Sequence, residues 1–144
     1  MRVRMNKSAI VAAVDGWQCF KHDLLRARAQ RSNGGWANYF LLHVGSDEAG
    51  LMVLDILDRP PCAVIREIYV LPDFRQGGLG DQLLSHAQTV AERRLLRTLK
   101  LEVRPLDAST SLEWLTQWYL KRGFREDPTR PAEMIKEFAG STVS

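Results

Sequence analysis

The sequence predicts a mixed α+β sheet with helices packed on its faces, on three observations. Short apolar runs rich in β-branched and aromatic residues fill the stretch from Trp36 to Val70, with turn chemistry between them. Helical spacing of apolar residues runs from Gly78 to Arg94, and alternation returns at Leu99, Leu101 and Val103. Helices thus interrupt strands whose first members are joined by hairpin-length turns.

In chain order, residues 2–14 fit a strand or a helix. From Gly16 to Gln30, Trp17, Phe20, Leu24 and Leu25 fall at i, i+3, i+7 and i+8, which predicts an amphipathic helix capped by Asp15. Three strands follow, Tyr39 to Val44, Leu51 to Ile56 and Ala63 to Val70. They are separated by Gly45 to Gly50 and by Asp58-Arg59-Pro60-Pro61, which predicts an antiparallel meander. Leu79, Leu83, Leu84, Ala87, Val90 and Ala91 mark the buried face of a long helix, with Arg93 and Arg94 suited to its C-terminal dipole. Leu99 to Val103 reads as a strand. Thr110 and Glu113 read as a capping box that opens a helix carrying Leu112, Leu115 and Tyr119 and ending at Gly123. Phe124 restarts an extended segment, and Met134 to Phe138 reads as a last strand after Pro128 and Pro131. No repeat, linker or low-complexity stretch divides the chain, so all 144 residues are expected to form one domain.

Composition excludes several classes. With 45% apolar and 26% charged residues, the chain has enough apolar surface to avoid disorder, and 10 Gly and 6 Pro are too few for a fibre. Cys19 and Cys62 cannot build a disulfide scaffold and are expected to be reduced. With only His22, His43 and His86 beside them, no metal-ligand spacing exists, and no metal is expected. His43 and His86 are expected to be structural. The longest apolar runs, Ala9 to Val14 and Tyr39 to Leu42, fall far short of the roughly 20 residues that cross a bilayer. The start Met1 to Lys7 imitates a signal peptide only until Asp15, so a cytoplasmic protein is expected. Fifteen Arg and five Lys against 17 acidic residues give a net charge of +3, which favours an anionic ligand such as a cofactor phosphate.

The stretch that carries chemistry runs from Glu67 through Pro72, Arg75 and Gln76 to Gly77, Gly78, Leu79 and Gly80, a strand, a loop and a helix start. Glycines there let backbone N–H groups approach a ligand, and the helix start aims its dipole at the same place. A loop that merely starts a helix fits the same residues. A Walker A loop fails, because Asp81-Gln82 stand where Lys and Ser or Thr are needed. A dinucleotide fingerprint fails because Leu83 stands where its last Gly or Ala belongs.

Arg75, Gly78 and Gly80 match the acetyl-CoA motif of the GNAT superfamily of N-acetyltransferases (Arg or Gln, two residues, Gly, one residue, Gly or Ala). Glu67 to Val70 with Pro72 resembles the family's fourth strand, and Tyr119 to Phe124 resembles its Tyr-x-x-x-Gly-Phe segment. The resemblance covers residues 36–138. It implies a largely antiparallel sheet flanked by helices, with a V-shaped splay between two central strands. It also implies acetyl-CoA as cosubstrate, its pyrophosphate held by the amides from Arg75 to Gly80 (Arg75, Gln76, Gly77, Gly78, Leu79, Gly80) and its pantetheine arm paired with main chain of Ile68, Tyr69 and Val70. The acceptor amine attacks the thioester directly in this family, so the protein orients two substrates, stabilises an oxyanion and protonates a thiolate.

By position, the resemblance makes Tyr119 the general acid, since a phenol with a pKa of roughly 10 keeps its proton at neutral pH; the residues alone equally allow a core tyrosine beside Leu115 and Trp118. Glu67 is the candidate base, sharing a strand face with Ile65 and Tyr69 by alternation. The competing reading pairs it with Arg66 or Arg104 at the surface. Asp55 is a second candidate base, and the Val70 N–H is implied for the oxyanion. Gly77 stands where the family commonly has a basic residue, and Asp107, Ser109, Thr110 and Ser111 stand where relatives often place an Asn. Trp17 and Trp36 lie in segments that build the family's acceptor pocket, although core packing is the simpler role for each. The acceptor is expected to be a small-molecule or peptide amine. Aminoacyl-tRNA is the only nucleic acid that stays open, and a homodimer is consistent with the family. A non-catalytic acyl-CoA-binding module and a small RNA binder are the alternatives.

Overall fold

The computed structural model describes residues 8–104, 107, 108 and 110–138. Its strands are β1 (Ala9–Val14), β2 (Ala37–Val44), β3 (Asp47–Asp58), β4 (Pro61–Val70), β5 (Thr98–Glu102), β6 (Arg125–Glu126) and β7 (Glu133–Glu137). Its α-helices are α1 (Asp23–Arg31), α2 (Leu79–Arg93) and α3 (Leu112–Leu120). The strands form one open sheet in the order β1-β2-β3-β4-β5-β7-β6, antiparallel throughout except for the β4–β5 pair. The mixed α+β class and the meander expected over residues 36–70 are both present.

Alternation along β2 and β3 sends side chains to two cores. Tyr39, Leu51, Val53 and Tyr69 meet Leu25 and Ala29 of α1 on one face. Phe40, Met52, Leu54 and Ala63 meet Leu83, Leu84, Ala87 and Ala91 of α2 on the other, and Leu115 and Tyr119 of α3 join that cluster.

Four local expectations are corrected. The helix expected over Gly16 to Gln30 is split into a 3-10 turn at Trp17–Cys19 and α1, because the Glu48 carboxylate accepts from the N–H groups of Lys21 and His22 and turns the chain there. His22 rather than Asp15 is the cap, its Nδ1 accepting from the Leu24 N–H at 3.2 Å. Ser111 rather than Thr110 caps α3, accepting from the Trp114 N–H at 3.0 Å. Trp36 is no core residue, being 67% exposed, whereas Trp17 packs against the α1-side core.

The feature that positions the site is the β4–β5 pair. Its register runs Ala63↔Leu99, Val64↔Lys100 and Ile65↔Leu101 and then stops, while β4 continues to Val70. Against β3, Leu54 pairs with Ile65 and Val53 with Glu67, so Arg66 is the extra residue of a β-bulge at the point of divergence. A bulge bends its strand and steepens the local twist. Here it turns the second half of β4 away from β5 and opens the splay. It also shifts the side-chain phase: Ile65 faces the α2 core, whereas Glu67 lies on the same face as Tyr69, so the expected common face of Ile65 and Glu67 is overturned.

Candidate active site

Backbone alternation along the free part of β4 decides which groups face the splay. The Leu71 N–H donates to Ala49 O at 2.8 Å, and Tyr69 O abuts Gly50, so residues 69 and 71 turn toward β3. Ile68 and Val70 between and before them therefore turn their N–H and C=O groups to the open side. Arg75 confirms this for Val70, its Nε donating to Val70 O at 2.8 Å from that side. Unpaired strand edges are templates for another extended chain.

Beyond β4 comes a 3-10 turn at Pro72–Phe74 and then α2. Gly78 is the N-cap of α2 with φ 77°, a left-handed conformation that favours glycine. No side chain caps this end, so first-turn N–H groups are left to the cavity that Gly78, Leu79, Gly80 and Asp81 line. Gly80 has a second reason to lack a side chain: a Cβ there would lie 3.2 Å from the Trp118 ring, so the glycine lets α3 close on α2. Asp81 would oppose an anion at this end, but Arg122 forks its carboxylate, with Nη2 to Oδ2 at 3.1 Å, and holds the carboxyl below its ordinary range. The same guanidinium stacks on Trp118 at 3.8 Å.

Two cavities flank the open half of β4. One of about 420 Å³ runs from Ile68, Tyr69 and Val70 along the loop with Arg75 and Gln76 to the start of α2, closed by Trp114, Trp118 and Arg122 of α3 and its C-terminal turn. The other, of about 410 Å³, lies between α1, β4 and β5. Ile68 and Tyr119 line both. Tyr119 is 3% exposed and is wedged edge-on between Trp118 and Phe124, at 5.1 and 5.5 Å between ring centroids. Burial, and after it the charge of Glu67, pushes its phenol well above the usual range, so the hydroxyl keeps its proton at every physiological pH.

Glu67 lines the second cavity and pairs with Arg28, Nη1 to Oε1 at 3.2 Å, rather than with Arg66 or Arg104. Burial raises its carboxyl above the ordinary value, and Arg28, Arg31 and Arg104 pull in the opposite direction. Asp55 lines neither cavity; it is buried in an ion pair with Arg66 at 2.6 Å. The structure thus brings Glu67 and Tyr119 to one cavity and leaves Asp55 outside it. His43 bonds Gly45 O through Nδ1 at 3.0 Å, and His86 stands edge-on to Phe40, so both have local partners. Asp107 pairs with Arg75 at 2.9 Å, and Ser109 lies outside the described residues.

Trp114, Trp118 and Arg122 were not singled out from the sequence for this site, although their i, i+4, i+8 spacing puts them on one face of the helix and the turn after it. Arg28 and Arg31 share a face of α1 by the same rule. Among the described residues, no cluster of His, Cys, Asp or Glu could hold a metal ion, and no helix is long and apolar enough to cross a membrane.

The family model for the acetyltransferase (GNAT) domain matches residues 35–126. Among solved structures, the fold is similar to that of the ribosomal-protein-S18-alanine N-acetyltransferase from Escherichia coli, at 21% identity and a TM-score of 0.65, covering 95% of this chain and 99% of that one. It is also similar to a Bacillus subtilis acetyltransferase in complex with CoA, at 17% identity and a TM-score of 0.67, covering 92% of this chain and all (100%) of that one. A GNAT family acetyltransferase from Elizabethkingia anophelis with acetyl-CoA bound is 16% identical with a TM-score of 0.61, covering 90% of this chain and 98% of that one. No curated protein sequence is significantly similar to the chain.

Proposed function

The chain belongs to the GNAT acetyltransferase family, and from its site we propose that it moves an acetyl group from acetyl-CoA to a primary amine within a ternary complex, as a single domain. The observation that carries this reading is the meeting of two cavities at Ile68 and Tyr119, one beside an uncapped helix start and one beside Glu67.

The first cavity fits acetyl-CoA on three counts. The open N–H and C=O groups of Ile68, with the Val70 N–H at the thioester end, suit an amide-bearing pantetheine arm; the Val70 C=O is taken by Arg75. The first turn of α2, with Asp81 neutralised by Arg122, suits a pyrophosphate. Arg75, bonded to Val70 O and Asp107, fixes the loop between them, while Gln76 and Gly77 are exposed. Bound acetyl-CoA supplies a thioester, whose carbonyl carbon gains a bond to the amine nitrogen as its bond to sulfur breaks, leaving an amide and free CoA thiol.

Glu67 accepts, directly or through water, the proton that the amine nitrogen sheds. The Val70 N–H, on the splayed side, donates to the oxygen where negative charge develops. Tyr119 gives its proton to the departing sulfur and is recharged from solvent. Burial keeps the hydroxyl protonated until the bond breaks, and it also makes the phenol a weaker acid, so its donation depends on placement beside the sulfur. The acceptor enters from the α1 side, where Glu67 lies, and the protein works in the cytoplasm. Purified protein with acetyl-CoA and a panel of amines, followed by thiol release, tests this function. Amine-dependent thiol release supports it, and binding of acetyl-CoA without turnover on any amine favours a binding module instead.

A further inference from the structure

Four guanidinium groups line the cavity between α1, β4 and β5: Arg28 and Arg31 from α1, Arg66 from the bulge, and Arg104 just past β5. Against them stand two carboxylates, Glu67 and Glu102. Arg28 is committed to Glu67 and to the face of Tyr69, 3.8 Å from its ring centroid. Arg66 is held by Asp55, and Arg104 pairs with Glu102 at 3.2 Å in an arrangement more than half exposed on both sides. Exposed pairs of that kind exchange partners at little cost. Among the described residues, Arg31 faces no carboxylate within ion-pair distance.

The cavity is therefore polarised. Its inner end holds Glu67 beside Tyr119, and its exposed charged groups are Arg31, Arg66, Arg104 and Glu102, three cations against the one carboxylate that Arg104 pairs with. A volume of about 410 Å³ suits a small molecule. An acceptor complementary to both ends has an amine at one end and an anion at the other. An acceptor with a second cation would place it among guanidinium groups, which repel it. We propose that the acceptor is a small primary amine bearing a carboxylate or a phosphate, its nitrogen beside Glu67 and Tyr119 and its anion held by Arg31 and Arg104 with Arg66 alongside. This rests on the acetyl-transfer reading, since only that reading makes the cavity an acceptor site.

The test is an NMR titration of the full chain, with and without saturating CoA, following the backbone amides of residues 65–68 and 101–104. The probes are β-alanine and phosphoethanolamine, each an amine with one anion; β-alaninamide and ethanolamine, the same amines without it; and putrescine, with a second cation. Saturable shifts are expected with β-alanine, phosphoethanolamine or both, at an apparent Kd on the order of tenfold below those of the amines that lack the anion. Whichever binds tighter identifies carboxylate or phosphate as the anion. Arg31→Gln and Arg104→Gln, both exposed substitutions, should each weaken the anionic probes about tenfold and leave ethanolamine unchanged. Equal shifts from amines with and without the anion, no shift from either anion-bearing probe, tighter binding of putrescine, or indifference to both Arg substitutions would overturn the proposal. Calorimetry with acetyl-CoA separates the two claims. Anion selectivity without acetyl-CoA binding overturns acetyl transfer and with it the acceptor role, whereas acetyl-CoA binding without anion selectivity overturns this proposal alone.

Discussion

Ile68 of β4 and Tyr119 of α3 are the two residues that line both cavities, so the cavities meet at this pair. The relationship is set by the bulge at Arg66, which frees Ile68 from β5, and by the buried cluster that draws Tyr119 inward beside Leu115 and Phe124. If Tyr119 delivers the proton to sulfur, Tyr119→Phe keeps the ring packing and loses only the hydroxyl. Acetyl transfer is expected to fall by about 10²- to 10⁴-fold, the usual contribution of a positioned acid, with acetyl-CoA affinity kept. Unchanged kcat in the Phe variant would remove the acid role from this residue.

Glu67 sets the expected pH dependence. Burial holds its carboxyl above the ordinary 4.5, so as pH rises the base becomes available later than an exposed glutamate would. The rate should climb as Glu67 loses its proton. Arg28→Gln removes the charge that most opposes the upward shift, and the rising limb should move to higher pH. Glu67→Gln should abolish that limb; a profile that keeps the wild-type limb in Glu67→Gln would exclude Glu67 as the base.

His86 gives a stability prediction with a definite sign. Burial, with help from Arg93, lowers its imidazole below the ordinary 6.5, so the folded state resists protonation that the unfolded state accepts. Stability from this group is full above that value and is lost as pH falls below it toward the depressed folded value. Urea denaturation of His86→Gln should show a shallower loss of stability than wild type below pH 6.5. Parallel curves would show that His86 does not contribute to acid destabilisation.

Gly50 is required by a close approach. A Cβ there would lie 2.5 Å from Tyr69 O, a backbone atom that cannot swing aside. Gly50→Ala is expected to destabilise by about 1–3 kcal/mol, the usual cost of forcing extra volume into a packed site, and to disturb the β4 edge. Denaturant midpoints and acetyl-CoA affinity measured on one preparation check both effects, and wild-type values for the variant would contradict the close approach.

The strands β2 to β4 and the helix α2 were legible because each buries one regular face, so period two and period 3.6 survive in the residues themselves. The Arg75 to Gly80 loop was legible as glycine chemistry. The phase of Glu67 was not, because one bulged residue, Arg66, breaks the alternation that the reading assumed. The start of α1 was hidden for a similar reason: Glu48, more than 20 residues away, stops the helix from reaching back to Gly16. Arg28 meets Glu67 across 39 residues of chain, a pairing that only the folded sheet brings about. Gly80 suited a phosphate loop in the sequence; the structure adds a close approach, the Trp118 ring standing 3.2 Å from where a Cβ would lie.

The proposed reaction depends on the splayed half of β4 and the first turn of α2 holding acetyl-CoA. Calorimetric titration of the full chain with acetyl-CoA, with ATP and NAD as controls for phosphate binding in general, tests it most directly. Saturable one-to-one binding of acetyl-CoA is expected, with ATP and NAD weaker by at least an order of magnitude, because neither control has a pantetheine arm to pair with the main chain of Ile68 and Val70. No heat from acetyl-CoA, or equal affinity for all three, would contradict it and would leave Gly78 and Gly80 as no more than a helix start.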